Sequence, residues 1–154
     1  MLLKNLAKLK GIYMDEETVQ KYGEYSAYLD DQFRVVLCLG SREAGEIFLH
    51  KQLLQDATYV DHINGNPQDN RLENLRACTL SQNQANRKLN VNNTSGYKGV
   101  RFHKTAGRWQ ARITFQGKEL YLGLHWSAKD AAIAYNDKAT ELFGEFARLN
   151  EVTQ

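Results

Sequence analysis

Four polar residues in the middle of the chain have the types and the spacing that phosphodiester hydrolysis requires. Asp61 and His62 are adjacent, Asn74 follows His62 after 12 residues, and Asn83 lies further along. An unperturbed imidazole titrates near 6.5, so His62 can accept a proton from water at physiological pH. Asp61 and Asn83 offer oxygen donors that suit Mg²⁺, and Asn74 can bridge backbone groups across a loop. We therefore expect a hydrolytic site with His62 as the general base.

The elements that position these residues are predicted by local patterns. Residues 58–62 (TYVDH) have the composition of a strand, residues 64–67 (NGNP) form a turn, and residues 72–78 return as a second strand. Thr79 and Gln82 then form a capping box that opens a helix to about residue 88. An Asp-His pair before Asn-Gly is by itself more typical of a capped hairpin. Its combination with Asn74, the capped helix and Asn83 favours an active site.

The N-terminal third gives weaker signals. Leucines at positions 2, 3, 6 and 9 recur at helical spacing, and a second helical stretch begins at Asp15 and carries Val19, Tyr22, Tyr25 and Leu29. Residues 32–39 and 46–49 are predicted as short strands around a turn at residues 40–43. We expect these elements to support the site.

The C-terminal third alternates between apolar and polar residues. Strands are predicted at residues 97–103, 109–115 and 120–124, with reversals at residues 105–107 and 116–117. Ser127 caps a helix with one apolar stripe, and Gly144 ends it. The helix must cover the apolar sheet face that contains Trp109 and Ile113, so the opposite face should present Arg112, Thr114 and Tyr121. Such a face fits a DNA major groove, although an ordinary solvated face remains the alternative.

Charge is distributed unevenly along the chain. The formal net charge is +2, but residues 74–118 contain nine lysines and arginines and no acidic residue. Aromatic side chains are interleaved with these cations, which favours a polyanionic partner, nucleic acid, over a plain solvated face. Arg87 and Lys88 are expected to clamp the DNA backbone near a polar, Asn-rich linker at residues 89–95.

Composition excludes several other classes of protein. The longest apolar run, residues 35–39, is far shorter than a membrane span, and the N-terminus has no secretory signal pattern, so we expect a protein that works inside a cell and is not secreted. Cys38 and Cys78 do not form a C-x-x-C pair. A disulfide scaffold and a structural zinc site are therefore not expected.

Residues 60–66 (VDHINGN), 69–76 (DNRLENLR) and 82–87 (QNQANR) resemble the HNH homing endonuclease family, which has a ββα-metal fold. The resemblance implies that His62 is the general base and that Asn74 braces the loop. It also implies that Asp61 and Asn83 are ligands of a divalent metal, Mg²⁺ or alternatively Mn²⁺. Members often carry a histidine ahead of the motif, as His50 does here. Its role as a structural or a substrate-contacting residue is left open.

Residues 96–101 (GYKGVR), 108–113 (RWQARI) and 131–135 (AAIAY) resemble the DNA-binding domain of plant ethylene-response factors. That family places its sheet in the major groove. The resemblance implies DNA contacts from the following positions: Lys98, Arg101, His103, Arg112, Thr114 and Tyr121. Glu119 stands where the plant domains often have a basic residue, and His103 and Thr114 replace arginines, so the DNA sequence recognised should differ.

These features together predict an α+β protein in which a ββα-metal nuclease module precedes a three-stranded antiparallel sheet packed on one helix. The expected domains are residues 1–88 and 96–150, joined by residues 89–95. We expect a metal-dependent endonuclease of the homing type that acts on double-stranded DNA as a monomer or homodimer. The alternatives are a DNA-binding regulator with a relic nuclease fold and a nuclease directed at RNA or at particular DNA structures.

Overall fold

The computed structural model describes residues 4–38 and 45–152. The chain divides into two compact units, Met1–Thr79 and Leu80–Gln154. The fold class is α+β, as predicted. No helix in the described ranges combines the length and the apolar character of a membrane span.

The first unit contains a four-stranded antiparallel sheet in which each strand pairs with the next along the chain. The strands are β1 (Lys4–Asn5), β2 (Ser26–Leu29), β3 (Val35–Cys38) and β4 (Glu46–Phe48), and helix α1 (Glu16–Tyr22) joins the first two. The chain adds a short 3₁₀ helix, Leu6–Lys8, after β1. Apolar side chains from these elements and from the following helix form the core: Leu6, Tyr22, Ala27, Val35, Leu37 and Leu49.

Two predictions in this unit are wrong in part. Residues 4–5 pair with β2 as a strand rather than forming a helix, while Leu2, Leu3 and the predicted turn at residues 40–43 lie outside the described residues. The helix that begins after Asp15 ends at Tyr22, and Leu29 instead pairs with Val35 in the sheet. The backbone of these short segments forms its hydrogen bonds with neighbouring strands of the sheet. The weak helical periodicity of the sequence did not indicate this pairing.

A second, two-stranded sheet carries the predicted site. Helix α2 (Leu49–Leu53) follows β4, and strand β5 (Tyr59–His62) pairs antiparallel with β6 (Leu75–Cys78). The returning strand begins later than predicted because Leu72–Asn74 form a 3₁₀ turn in which the Asn74 N–H donates to the Arg71 carbonyl. The loop between the strands is consequently long and contains most of the polar residues of the motif.

Helix α3 (Leu80–Ala85) is shorter than the predicted helix to residue 88. The backbone tightens after Ala85, where the Arg87 N–H donates to the Gln84 carbonyl. Ala85 is buried in the core of the second unit, so α3 groups with that unit by its contacts. The domain boundaries at residues 88 and 96 remain predictions. Within the predicted linker, Asn93 and Ser95 hydrogen-bond to the Tyr97 carbonyl.

The second unit contains a three-stranded antiparallel sheet covered by one helix. Strands β7 (Val100–His103), β8 (Arg108–Phe115) and β9 (Lys118–His125) lie in that order, and α4 (Ala128–Phe143) packs on them. Ser127 caps the helix by accepting from the Asp130 N–H, as predicted. Between the sheet and the helix lie the buried side chains of Val100, Ala111, Ile113, Ala131, Ala132, Tyr135 and Ala139.

Close packing of α4 on the sheet requires a glycine at position 99. Gly99 has a φ of +74°, and a Cβ there would lie 2.1 Å from Cδ2 of Tyr135. The ring of Tyr135 occupies the space that a side chain would need. Within the Gly96–Arg101 stretch, the glycine at position 99 is therefore explained by the packing of α4 rather than by ligand contact.

Candidate active site and nucleic-acid interface

His62 ends strand β5 and is half-buried. Its Nε2 lies 3.4 Å from Oδ1 of Asn70, and Asn70 is completely buried. The Asn70 amide is oriented by its Nδ2, which donates to the Pro67 carbonyl at 3.4 Å. Because Oδ1 can only accept, this contact favours the tautomer with the proton on Nε2 and the lone pair on Nδ1. This tautomer fixes which nitrogen can act as a base.

Burial lowers the pKa of His62, although Asn70 and the charges of Asp61 and Asp69 oppose this effect. A lowered pKa keeps the imidazole neutral at physiological pH. A general base must be neutral before it can take a proton from water. The environment of His62 therefore favours the protonation state that the proposed chemistry needs.

His50 lies against His62, with ring centroids 5.2 Å apart in an edge-to-face arrangement. Its other neighbour is Phe48, whose ring stacks at 5.5 Å and is itself covered by the Arg34 guanidinium at 4.3 Å. Burial and the proximity of His62 lower the pKa of His50 to about 4. Within the described residues, its Nδ1 is the buried side-chain atom that lacks a hydrogen-bond partner. The neutral ring of His50 thus packs against the candidate base.

Asn74 holds the loop between the two strands of the site. Its Oδ1 accepts from the Asn64 N–H at 3.0 Å, and its Nδ2 donates to the Asp69 carbonyl at 2.8 Å. Its carbonyl accepts from the Ile63 N–H at 2.9 Å. Asn74 is buried, and its hydrogen bonds connect the start of the loop to its later part.

Asp69 and Arg71 reinforce the same loop. The Arg71 guanidinium donates to the Asp69 carboxylate from Nε at 2.9 Å and from Nη2 at 2.8 Å. Asn64 adds a third hydrogen bond to that carboxylate at 2.8 Å. Arg71 holds the pKa of Asp69 below its usual value. Sequence reasoning missed the roles of Asp69, Asn70 and Arg71, although all three lie within the recognised motif.

Asp61 is buried, and its Oδ2 forms an ion pair with Arg76, its neighbour across the two-stranded sheet. Arg76 donates from Nε at 3.0 Å and from Nη2 at 2.8 Å. This pairing fixes the orientation of the carboxylate. Arg76 was not predicted as a site residue, although its position in the returning strand places it opposite Asp61.

The donor set implied for a metal consists of one carboxylate and one amide. Within residues 4–38 and 45–152, no three His, Cys, Asp or Glu side chains cluster in a way that could hold a metal ion. Mg²⁺ can also be held by few protein oxygens, with water and phosphate completing its shell, and the carboxylate of Asp61 and the amide oxygen of Asn83 are each donors of that kind. Asn83 lies in α3, which groups with the second unit, whereas Asp61 belongs to the first.

The uncovered face of the three-stranded sheet carries most of the predicted DNA-contacting residues. Cross-strand register places Arg101 opposite Gln110, His103 opposite Arg108, and Arg112 opposite Tyr121. Residues directly opposite each other share a face. Thr114 and Tyr121 are exposed there, and His103 turns its Nδ1 toward the Ala106 N–H.

Two arginines on this face already have protein partners. Arg112 forms an ion pair with Glu119 at 2.5 Å, and Arg101 donates from Nε to Gln110 at 2.7 Å. Glu119 therefore places a carboxylate in the middle of an otherwise basic surface. A DNA phosphate or base would have to replace this partner to reach Arg112.

The remaining predicted contacts lie beside the linker. Arg87 and Lys88 are exposed. Lys98 instead points its Nζ at the carbonyls of Ala85 and Arg87. Burial, followed by the charges of Arg148 and Arg87, lowers the pKa of Lys98 to about 8. The ammonium of Lys98 is placed to cap the end of α3, a role that sequence spacing did not indicate.

The candidate site therefore combines two short strands, a loop braced by Asn74 and a histidine that ends the first strand. A family model described as HNH endonuclease matches residues 56–85. The chain is 37% identical over 90 residues to Protein 3.8 of Escherichia phage T7, which covers 58% of this chain and 74% of that protein. The chain belongs to the HNH endonuclease family.

Other relatives match parts of the chain. An HNH endonuclease of Acanthamoeba polyphaga mimivirus is 36% identical over 94 residues, which is 61% of this chain and 48% of that protein. An AP2-like ethylene-responsive transcription factor of Arabidopsis thaliana is 48% identical over 61 residues, which is 38% of this chain and 16% of that protein. No solved structure matches the chain significantly. The combination of HNH and plant-factor resemblance predicted from the sequence is confirmed.

Proposed function

We propose that this protein is a metal-dependent DNA endonuclease of the homing type, in which the first unit supplies the catalytic base and the second unit binds duplex DNA. The observation that carries the proposal is the environment of His62. Its imidazole is half-buried, has a lowered pKa, faces Oδ1 of Asn70 with its Nε2, and lies beside a loop braced by Asn74. Family membership supports nuclease activity independently of that geometry.

In the proposed mechanism, the Nδ1 of His62 takes a proton from the water that attacks phosphorus. Asn70 holds the Nε2 proton on the opposite side of the ring, so the imidazole presents one basic nitrogen. The His50 ring packs against that of His62, and burial favours the neutral form of His62. A general base of this kind contributes about 10²–10⁴-fold to the rate.

Asp61 and Asn83 are the residues proposed to hold a divalent cation, Mg²⁺ or alternatively Mn²⁺. A bound divalent ion would act as a Lewis acid that stabilises charge on the phosphate and on the leaving 3′-oxygen. The contribution of Arg76 is to orient the Asp61 carboxylate through two donated hydrogen bonds. Asp61 is therefore pre-positioned by its protein partner.

Recognition of DNA is assigned to the uncovered sheet face of the second unit. Arg87 and Lys88 would contact phosphates, and the residues proposed to contact base edges or the backbone are Lys98, Arg101, His103, Arg112, Thr114 and Tyr121. If about six phosphates are neutralised, log–log plots of affinity against salt should have a slope near −5. A salt-independent affinity would contradict this assignment.

The experiment that tests the nuclease proposal is conversion of supercoiled plasmid carrying DNA of the parent genome, with Mg²⁺ and with chelator. His62→Ala should lower the cleavage rate by about 10²-fold or more while leaving duplex affinity unchanged. The matched control is His125→Gln, since His125 lies in β9 outside the proposed site. Cleavage by His62→Ala at the parental rate would remove His62 from the role of base.

The same experiment separates the alternatives. A protein that binds the duplex but cleaves nothing with Mg²⁺ or Mn²⁺ would be a regulator with a relic nuclease fold, which its likeness to plant transcription factors favours. Preference for RNA over DNA would indicate an RNA-directed nuclease. Nicked product indicates a monomer acting once, and linear product indicates coordinated cleavage by a homodimer. The phage relative supports action inside a cell.

A further inference from the structure

Trp126 is a large aromatic residue that the fold leaves in solvent. It immediately follows β9, and 79% of its surface is exposed, more than for any other exposed aromatic side chain in the described ranges. The guanidinium of Arg108 lies over its ring, with Cζ 3.8 Å from the ring centroid. The two residues form a stacked pair of a cation and an indole.

The strand register places this pair on the uncovered sheet face. Trp109 pairs with His125 at the end of β9, and the next residue, Trp126, is placed by its stacking contact with Arg108. Arg108 in turn pairs with His103 of β7. Because residues directly opposite each other share a face, the stacked pair continues the surface that carries Arg101 and His103.

Internal packing does not account for this arrangement. An indole stabilises a fold mainly by the area that it buries, and Trp126 buries little. A cation–π contact at an exposed site adds only a small stabilisation. Arg108 covers one face of the ring, and the high exposure leaves the other face and the edge of the ring to solvent. An open aromatic face beside a positioned cation is a surface suited to a ligand.

The ligand chemistry follows from the surrounding charge. The sheet face carries Arg101, Arg108 and Arg112, and Glu119, the acidic residue beside them, is already paired with Arg112, so a polyanion is the partner that suits this surface. A nucleotide unit of DNA offers both groups that the pair can bind. The deoxyribose gives an apolar surface for the indole, and the adjacent phosphate accepts hydrogen bonds from the guanidinium.

We propose that Trp126 and Arg108 form a backbone clamp that grips one deoxyribose–phosphate unit of duplex DNA at the end of the sheet. This inference rests on the proposed DNA-binding function of the second unit and adds two contacts to it. The clamp touches sugar and phosphate rather than base edges. It therefore adds affinity without adding sequence preference.

The test is fluorescence anisotropy with the full chain in chelator and two labelled 30-base-pair duplexes of unrelated sequence. Trp126→Ala should weaken binding to both duplexes roughly fivefold to tenfold and leave the salt slope unchanged. Arg108→Gln should also weaken binding to both, and it should reduce the salt slope by about one. Far-UV circular dichroism checks that each variant is folded.

Matched controls are available in the same unit. Val91→Ala removes an apolar side chain that is 99% exposed, and Lys138→Gln removes a cation from α4, which covers the other side of the sheet. Both should bind like the parent. The chain has two tryptophans, so Trp109→Phe isolates the emission of Trp126, which should change when duplex is added.

The outcomes separate this inference from the function on which it rests. Equal binding by the parent, Trp126→Ala and Arg108→Gln would overturn the clamp and leave DNA binding intact. A loss that differs strongly between the two duplexes would overturn the sequence-independent contact. Failure of the parent to bind either duplex at low salt would overturn both the clamp and the proposed DNA binding.

Discussion

Acid should destabilise the first unit through His50. The buried imidazole has a pKa of about 4 in the folded protein, against 6.5 for an ordinary histidine. Between these values the unfolded chain binds a proton that the folded chain does not accept, so stability is complete above pH 6.5 and falls as pH drops toward 4. The difference in pKa corresponds to about 3 kcal/mol of unfolding free energy lost between pH 7 and pH 4.

Other titrating groups change the unfolding free energy between pH 7 and pH 4 less than His50 does, or change it in a known direction. The charged groups around His50 are Arg34 and Lys51, which disfavour its protonation, and Asp30, which favours it, while His62 is its titrating neighbour. The lowered pKa of His62 adds to the acid loss in the same direction. The carboxyls of Asp30 and Asp69 have a pKa below 3.8, so their contribution is lost only under more acid conditions.

His50→Leu isolates the contribution of His50. The substitution removes the titrating ring and the buried Nδ1 that has no hydrogen-bond partner in the described residues, so the difference in stability between pH 7 and pH 4 should shrink by about 3 kcal/mol. Leu49→Val is the matched control, because it removes packing from the same helix and should lower stability equally at both pH values.

Urea unfolding followed by far-UV circular dichroism measures these free energies. Both tryptophans belong to the second unit, so their fluorescence, recorded in parallel, identifies the transition of that unit. If His50→Leu keeps the full pH difference of the parent, the acid loss comes from other groups and the reasoning about His50 is refuted.

Two further predictions concern residues on either side of the division between the units. Asn74→Ala should cost about 2 kcal/mol in urea unfolding and should slow plasmid cleavage, because the loop loses the hydrogen bonds to Asn64 and Asp69; a variant as stable as the parent would show that Asn74 is not a brace. Glu119→Gln should raise duplex affinity roughly threefold and steepen its salt dependence in anisotropy titrations, because it releases Arg112. Weaker binding by Glu119→Gln would instead assign the carboxylate a direct role in recognition.

The sequence predicted the second unit well because its signals are regular and local. The alternation around Trp109 and Ile113, together with the Ser127 cap, is sufficient to specify a hairpin and a helix. The first unit was predicted less well, because Leu29 and the segment at Lys4 are placed by sheet pairing between distant segments. Single-sequence periodicity carries no information about such pairing.

Within the candidate site, the motif predicted which side chains lie near the strand ends but not their partners. Position along the chain could not show that Asn70 fixes the His62 ring, that Arg76 pairs with Asp61, or that His50 packs behind the base. These contacts depend on side-chain direction across a long loop. The ammonium of Lys98 shows the same limit, because its position in a basic run did not indicate that it binds the backbone carbonyls of Ala85 and Arg87.

The packing of α3 bears on how such proteins exchange parts during evolution. Ala85 is buried with Tyr135 and Phe143, and its carbonyl is bound by Lys98 and by the Arg148 N–H. A recombination junction within the Asn-rich segment at residues 89–95 would separate helix α3 from the residues on which it packs. It would leave the apolar face of the helix and the Ala85 carbonyl without their partners. The HNH family model extends to residue 85, so this helix belongs to the nuclease motif by sequence and to the second unit by packing, and a junction at Thr79 would divide the motif.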